Sequence, residues 1–258
     1  MPDLICPVRD CHLTLSRDGR RLFCERGHSF DLARSGYINL LQPQDKRSNR
    51  PGDTPAAVAA RRRLHDLGVT APLLRGIAEI VNASSNDIVL DAGCGDGFYL
   101  GSAARETGFS GHGIDISVAA IDAAARRYPA CEWIVANADR FIPYADRTFT
   151  VVMSITARMN ASEFRRVLCD AGRLLVALPS PDDFIELRGP GRDRTARTIA
   201  TFARDFTLAD RGRATTTADL DDAAVHDVLH AIYRPLQSRP PEAMRLTFSL
   251  DLLLFRIK

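Results

Sequence analysis

The 258 residues predict an α/β fold: a doubly wound, mostly parallel sheet with a small separate module ahead of it. Three observations carry this. From residue 87 onward, strand-like and helix-like segments alternate, the rhythm that builds a parallel sheet covered by helices. The first of those strands runs into a glycine-rich turn, Gly93-Cys94-Gly95-Asp96-Gly97. Well before it, Cys6, Cys11, Cys24 and His28 crowd a stretch poor in large apolar groups. A module of about forty residues built that way needs a metal or a docking surface to hold it.

Bulk properties limit the function classes. At 45% hydrophobic and 26% charged residues, the chain can bury a sizeable core. No apolar run approaches the roughly 18 residues of a membrane span. The opening MPDLICPVRD lacks the apolar core of a secretion signal, which predicts a cytoplasmic protein with reduced cysteines. Net charge is +2. Residues 1–63 hold 12 Lys/Arg against 7 Asp/Glu, and the remainder 22 against 25. A basic front end on a near-neutral body suits either a polyanion partner or a solvated surface.

Taken in order, residues 1–40 read as a metal-binding module with turns at Arg17-Asp18-Gly19 and Arg26-Gly27, and short strands in RLFC and YINLL. Residues 41–86 read as linker and helices. QPQDKRSNRPGDT (42–54) is polar with Pro and Gly, a linker or mobile loop. Leu64, Leu67, Leu73, Leu74, Ile77 and Ile80 then recur at helical spacing, with a break at Gly68 to Pro72. Residues 87–258 form the main domain. DIVLDAG, GHGIDIS, EWIVANA, TFTVVMSI and GRLLVALP are its strands. The helices between them include VAAIDAAARRY, capped by Ser117, and ASEFRRVL. TADLDDAAVHDVLHAIY reads as helix and RLTFSLDLLLFRIK as a closing strand.

Two motifs carry chemistry. Zinc takes four nitrogen or sulfur ligands in a tetrahedron. Cys6, Cys11, Cys24 and His28 fit as C-x4-C-x12-C-x3-H, a closed structural site for Zn2+; a degenerate, metal-free site, or His12 in place of one ligand, remains open on spacing alone. The second motif is LDAGCGDGFY. Glycines at a strand-to-helix turn let the backbone approach a ligand. Asp91 precedes Gly93, and Asp115 closes the next strand, where an acid accepts hydrogen bonds from ribose hydroxyls. Asp139, after the third strand, is placed to accept from an adenine amino group. A dinucleotide site wants G-x-G-x-x-G, and the spacing here is G-x-G-x-G. This set resembles the Rossmann-like class I methyltransferases, whose methyl donor is S-adenosylmethionine. Cys94, inside the turn, reads as a packing residue rather than a nucleophile.

Both motifs together, with CERGHSFDLARSGYINLL, KRSNRPGDT and ARRRLHDLGVTAPL, resemble the ribosomal RNA guanine-N1 methyltransferases, from about Cys6 to Leu187. The resemblance implies methyl transfer to a guanine in a hairpin of large-subunit ribosomal RNA. It implies a zinc module acting as a recognition lobe across a cleft from the class I domain. Asp91, Gly93, Gly95, Asp96, Gly97, Asp115 and Asp139 would then serve the cofactor, as would Thr70 and Asp183 at two family positions that touch it. A homodimer would suit wrapping a hairpin.

The chain departs from the family at several places. The first cysteines are C-x4-C rather than C-x2-C. Thr156-Ala157-Arg158 replaces an aromatic-Ala-Pro segment, Gly68-Val69-Thr70 replaces Gly-His-Tyr, and Asp183 stands for a histidine. Cys169-Asp170-Ala171-Gly172 replaces Lys-Pro-Gly-Gly. Guanine N1 carries a proton that some group must accept. No catalytic residue is named outright: Asp183 is one candidate acceptor, and Arg158 a candidate for charge developing on O6. Phe98, Tyr99, Phe141 and Tyr144 are candidates to stack an extruded base. Arg61, Arg62, Arg63, Lys46, Arg47 and Arg50 are candidates to follow the RNA backbone. The altered rim leaves two other readings: a methyltransferase of a small molecule or peptide, and a non-catalytic RNA-binding relative.

Overall fold

A computed structural model describes residues 2–45, 51–231 and 241–258. Lys46, Arg47 and Arg50 lie outside the described residues. The chain starts with β1 (Ser16–Asp18), β2 (Arg21–Phe23) and β3 (Ser29–Asp31), a small antiparallel sheet. Of these nine residues only Leu22 is buried, so the sheet has almost no core of its own. Next come β4 (Ile38–Asn39), α1 (Pro55–Asp66), α2 (Ala71–Val81), β5 (Ile88–Ala92), α3 (Phe98–Thr107) and β6 (Ser110–Asp115). Then follow α4 (Val118–Arg127), β7 (Glu132–Val135), β8 (Phe149–Ile155), α5 (Ala161–Val167) and β9 (Leu168–Pro179). The chain closes with α6 (Ile185–Arg188), α7 (Thr195–Phe202), β10 (Phe206–Leu220), α8 (Asp222–Ala231) and β11 (Met244–Ile257).

Eight strands form one sheet in the order β10-β11-β9-β8-β5-β6-β7-β4. The six from β9 to β4 run parallel, and β11 lies antiparallel between β9 and β10. Strands β5, β8 and β9 are near-continuous apolar runs because helices cover both faces. Chain order reverses between β5 and β8, where open α/β sheets hold their ligands beyond the carboxyl ends of the strands. Caps fix the helix starts: Ser117 Oγ accepts from Ala120 N at 3.2 Å and Asn160 Oδ1 from Glu163 N at 3.3 Å. Asn82, in the left-handed conformation at φ 46°, ends α2.

The N-terminal module is seamed to the sheet instead of standing apart as a lobe across a cleft. Strand β4 extends the sheet by pairing with β7. Ile5 N donates to Pro143 O and Ala145 N to Asp3 O, both at 3.0 Å. Leu4, Leu15, Leu22 and Ile38 share one apolar cluster with Tyr144 and Phe149 of the main domain. A module with one buried strand residue gains its core by borrowing from its neighbour.

Three segments differ from the sequence expectation. Thr217–Leu220 belong to β10, not to the helix, which starts at Asp222. Residues 51–54 are docked: Gly52, at φ +81°, lies so close to α4 that a Cβ would come within 2.7 Å of Ser117 Cβ. Ser117 Oγ donates to Asp53 O at 2.8 Å. Strand β9 already begins at Leu168, four residues before the expected Gly172.

Candidate functional site

Two tight turns build the metal cluster. Cys11 N donates to Val8 O at 3.0 Å, and Gly27 N to Cys24 O at 2.9 Å. Gly27 sits at φ 81°, which glycine adopts without strain. The ligand atoms of Cys6, Cys11, Cys24 and His28 all lie within 4.8 Å of one another. Cys11 Sγ is 3.7 Å from Cys24 Sγ, and His28 Nδ1 is 3.4 Å from Cys6 Sγ and 3.3 Å from Cys24 Sγ. Metal–ligand bonds of roughly 2.0–2.3 Å give tetrahedral edges of about 3.8 Å (S–S) and about 3.6 Å (S–N), so the cluster has the dimensions of a zinc site. Burial pushes the Cys6 thiol up to about 12; a cation is what lets such thiols ionise. His12 stacks on Phe141 at 4.7 Å instead of joining the cluster.

The glycine turn sits at the carboxyl end of β5. Gly93 N and Cys94 N both donate to Ile114 O, at 2.8 and 3.0 Å, which folds the turn onto β6. Gly93, Gly95 and Gly97 all have positive φ. A Cβ on Gly97 would overlap the Trp133 ring, and one on Gly93 would overlap Ala157. Asp115 accepts Gly95 N at 3.0 Å and Ser117 N at 2.8 Å. Asp91 is buried, and its Oδ1 has no hydrogen-bond partner among the described residues. Burial, then the charge of Asp115, pushes Asp91 up to about 8. Burial also raises Asp96 and Asp115. An orphaned carboxylate oxygen beside further acids is a strong receptor for a cation. The glycines leave the bare backbone that a bulky ligand needs. The residues fit S-adenosylmethionine, whose sulfonium and ammonium are cationic.

Other expected residues flank this turn. Thr70 is buried and its Oγ1 lies 2.7 Å from His65 Nδ1. His65 stacks on Phe98 at 3.8 Å. Burial, then Arg61, lowers His65 to about 3, so its 3.8 Å approach to Asp96 is not an ion pair. Asp139 pairs with Arg158 at 3.5 Å. Both line an open groove of about 720 Å³ together with Ala157, Asn160 and Ser162. Thr156, next in the chain to the groove residue Ala157, holds φ 52°, a strained conformation for a β-branched residue. Asp183 accepts Ser249 N at 3.0 Å, and burial pushes it up to about 6. Burial, ahead of the charges of Asp96, Asp183 and Asp91, raises the Tyr99 phenol.

Two of the four base-stacking candidates are buried, and the other two are half-buried. Phe98 lies against His65, and Tyr144 is fully buried. Phe141 lies against both His12 and the Arg166 guanidinium, and Tyr99 packs edge-on to His65 and Phe98. Nor do the three consecutive arginines form one face. Arg63 forks onto Asp227 at 2.7 and 2.5 Å. Arg61 reaches the glycine turn, with Nη1 2.6 Å from Asp53 and 3.4 Å from where a Gly95 Cβ would stand. Sequence reading missed Arg61, Asp53 and His65 as neighbours of the turn. The helical spacing that turns one of three consecutive arginines inward was the available signal. Cys94 packs as expected, and burial holds its thiol well above the ordinary range.

A zinc ribbon joined to a class I fold defines an S-adenosylmethionine-dependent methyltransferase. The family described as "RlmA, N-terminal", a zinc ribbon, matches residues 4–49, and a methyltransferase domain family matches residues 89–177. A 23S rRNA (guanine(748)-N(1))-methyltransferase of Streptomyces fradiae is 35% identical over 237 residues, 88% of this chain and 81% of the relative. A Bacillus subtilis (strain 168) protein, provisionally described as a 23S rRNA (guanine-N(1)-)-methyltransferase, is 35% identical over 71% of this chain and 66% of its own length. The solved TehB-like methyltransferase of Corynebacterium glutamicum shares the fold at TM-score 0.51 and 17% identity, over 80% of this chain and 100% of that one. The chain belongs to the RlmA-type family of 23S rRNA guanine-N1 methyltransferases. Its cofactors are S-adenosylmethionine and zinc. No described helix is long and apolar enough to cross a membrane.

Proposed function

We propose that the chain transfers a methyl group from S-adenosylmethionine to N1 of a guanine in a hairpin of large-subunit ribosomal RNA. The observation that carries this is the 35% identity to the Streptomyces fradiae enzyme across both the ribbon and the class I domain. Cys6, Cys11, Cys24 and His28 hold a structural zinc with no open position. The module around it exposes Arg9, Arg17, Arg20, Arg21, Arg26 and Arg34, a surface suited to phosphates.

The cofactor supplies an electrophilic methyl group. Gly93, Gly95 and Gly97 give the backbone close approach to it. Asp115, held by two backbone amides, would accept from the ribose hydroxyls, and Asp91 and Asp96 would serve the cationic end. Asp139 would accept from the adenine amino group. Thr70 holds His65, whose other ring nitrogen lies 3.8 Å from Asp96, and would serve the cofactor through that ring. Substrate enters along the groove that Arg158 and Asp139 line. Asp183 accepts the N1 proton: with its pKa near 6 it is ionised at neutral pH and basic enough to take a proton. Arg158 stabilises charge on O6.

A methyl on N1 blocks Watson–Crick pairing, so reverse transcription stops one base before it. Unmodified large-subunit ribosomal RNA treated with protein and cofactor should give a new stop at a single hairpin guanine. Absence of any stop, with cofactor binding retained, would point to a small-molecule or peptide acceptor at the altered rim around Thr156.

A further inference from the structure

The glycine turn is ringed by acids, and one basic group reaches into it. Arg61 comes from the middle of α1, and its side chain is about a quarter exposed, at 26%. Among the described residues its hydrogen bonds go to Asp53 Oδ2 at 2.6 Å and the Ala231 carbonyl at 3.1 Å. A guanidinium carries five N–H groups in a fixed fork, so these bonds leave donor capacity facing the turn. Its Nη1 stands 3.4 Å from the point a Gly95 Cβ would occupy, above the stretch of bare backbone. Asp53, which holds it, is itself fixed by the Ser117 bond and the tight Gly52 approach to α4.

S-adenosylmethionine brings one anion and two cations to this turn. The cations have Asp91 and Asp96. The carboxylate needs a donor, and a planar fork is the side chain best matched to it. We propose that Arg61 binds the carboxylate of the cofactor's amino-acid end, sharing its guanidinium between that group and Asp53. The arginine thereby selects donors that carry the carboxylate, and the 51–54 segment serves as its backrest. This rests on the placement of S-adenosylmethionine on the glycine turn. It adds a cofactor residue outside the class I domain proper, from a run that sequence alone gives to RNA.

The test is equilibrium binding, by calorimetry, of S-adenosylmethionine and of decarboxylated S-adenosylmethionine, which keeps both cations and lacks only the carboxylate. The wild-type protein should prefer the intact cofactor by roughly 10- to 100-fold, the weight of a charge-assisted contact. Arg61→Met should weaken the intact cofactor by that factor and leave the decarboxylated one within about twofold. Arg61→Lys keeps the charge and loses the fork, and should give the same ranking in smaller measure. Equal wild-type affinity for the two compounds overturns the proposal without any variant. So does an Arg61→Met variant that weakens both alike, since that marks a purely structural role. Failure of the wild type to bind either compound would overturn the cofactor placement itself.

Discussion

Replacing Asp91 by Asn should make the cofactor-free protein more stable, and increasingly so as pH rises. In the fold this carboxyl is pushed from 3.8 to about 8 by burial and by Asp115. A raised acid favours the native state below its unfolded pKa, and that contribution is lost as pH climbs toward the folded value. The window is therefore 3.8 to about 8. Each unit is worth about 1.4 kcal/mol. The carboxyl costs the native state about 2 kcal/mol at pH 5 and about 5 kcal/mol at pH 8. Asn has similar shape and no charge. Asp96 and Asp115 titrate in both proteins and largely cancel in the comparison. Urea unfolding of the two zinc-loaded proteins at both pH values gives the stability gap directly. The gap should widen by about 3 kcal/mol from pH 5 to pH 8. A gap constant within about 1 kcal/mol would refute the argument that Asp91 is held proton-bound by its surroundings. The same variant should bind S-adenosylmethionine at least about tenfold more weakly, because the stability it gains is the strain that receives the cation.

Three further outcomes follow from named contacts. Gly97→Ala puts a methyl into the Trp133 ring at φ +76°, and should cost roughly 2–4 kcal/mol in thermal or urea unfolding. Cys24→Ser should release the zinc, measured as metal per chain. It should also loosen the β4–β7 edge in hydrogen exchange, because Cys24 packs in the same cluster as Ile38 and Ile134. Asp183→Asn bears on the proposed proton acceptor. Its carboxylate must be ionised to accept, so wild-type kcat/KM should fall as pH drops through about 6, and the variant should lose that limb along with most of its rate.

The parts of the site that were legible in the sequence are local ones. Asp91, Gly93, Gly95, Gly97 and Asp115 lie at strand ends and turns, where backbone geometry dictates the residue type. The cysteine–histidine cluster was legible for the same reason, since short turns set its spacing, but only the packing of His12 on Phe141 decides between His12 and the gathered set. What stayed hidden depends on tertiary docking. Strand β10 is an edge strand with most residues exposed, and its pattern of Arg and Thr carries little apolar alternation. It pairs with β11 across an intervening helix, a contact no short window contains. Consecutive arginines on a helix point in different directions, and only the packing of α1 against α4 and α8 decides that Arg61 turns toward Gly95 and Arg63 toward Asp227. The packing of the aromatic candidates was hidden too, because a ring read alone says nothing of His65 or His12, the partners that stack on Phe98 and Phe141.

The most direct test of the account is the chemical identity of its product. Purified protein is incubated with methyl-labelled S-adenosylmethionine and unmodified large-subunit ribosomal RNA, and the RNA is digested to nucleosides and separated. The account predicts label in 1-methylguanosine, close to one methyl per RNA, and none with an Asp115→Asn variant. Label in any other nucleoside, or none in RNA from a protein that binds the cofactor, would contradict it.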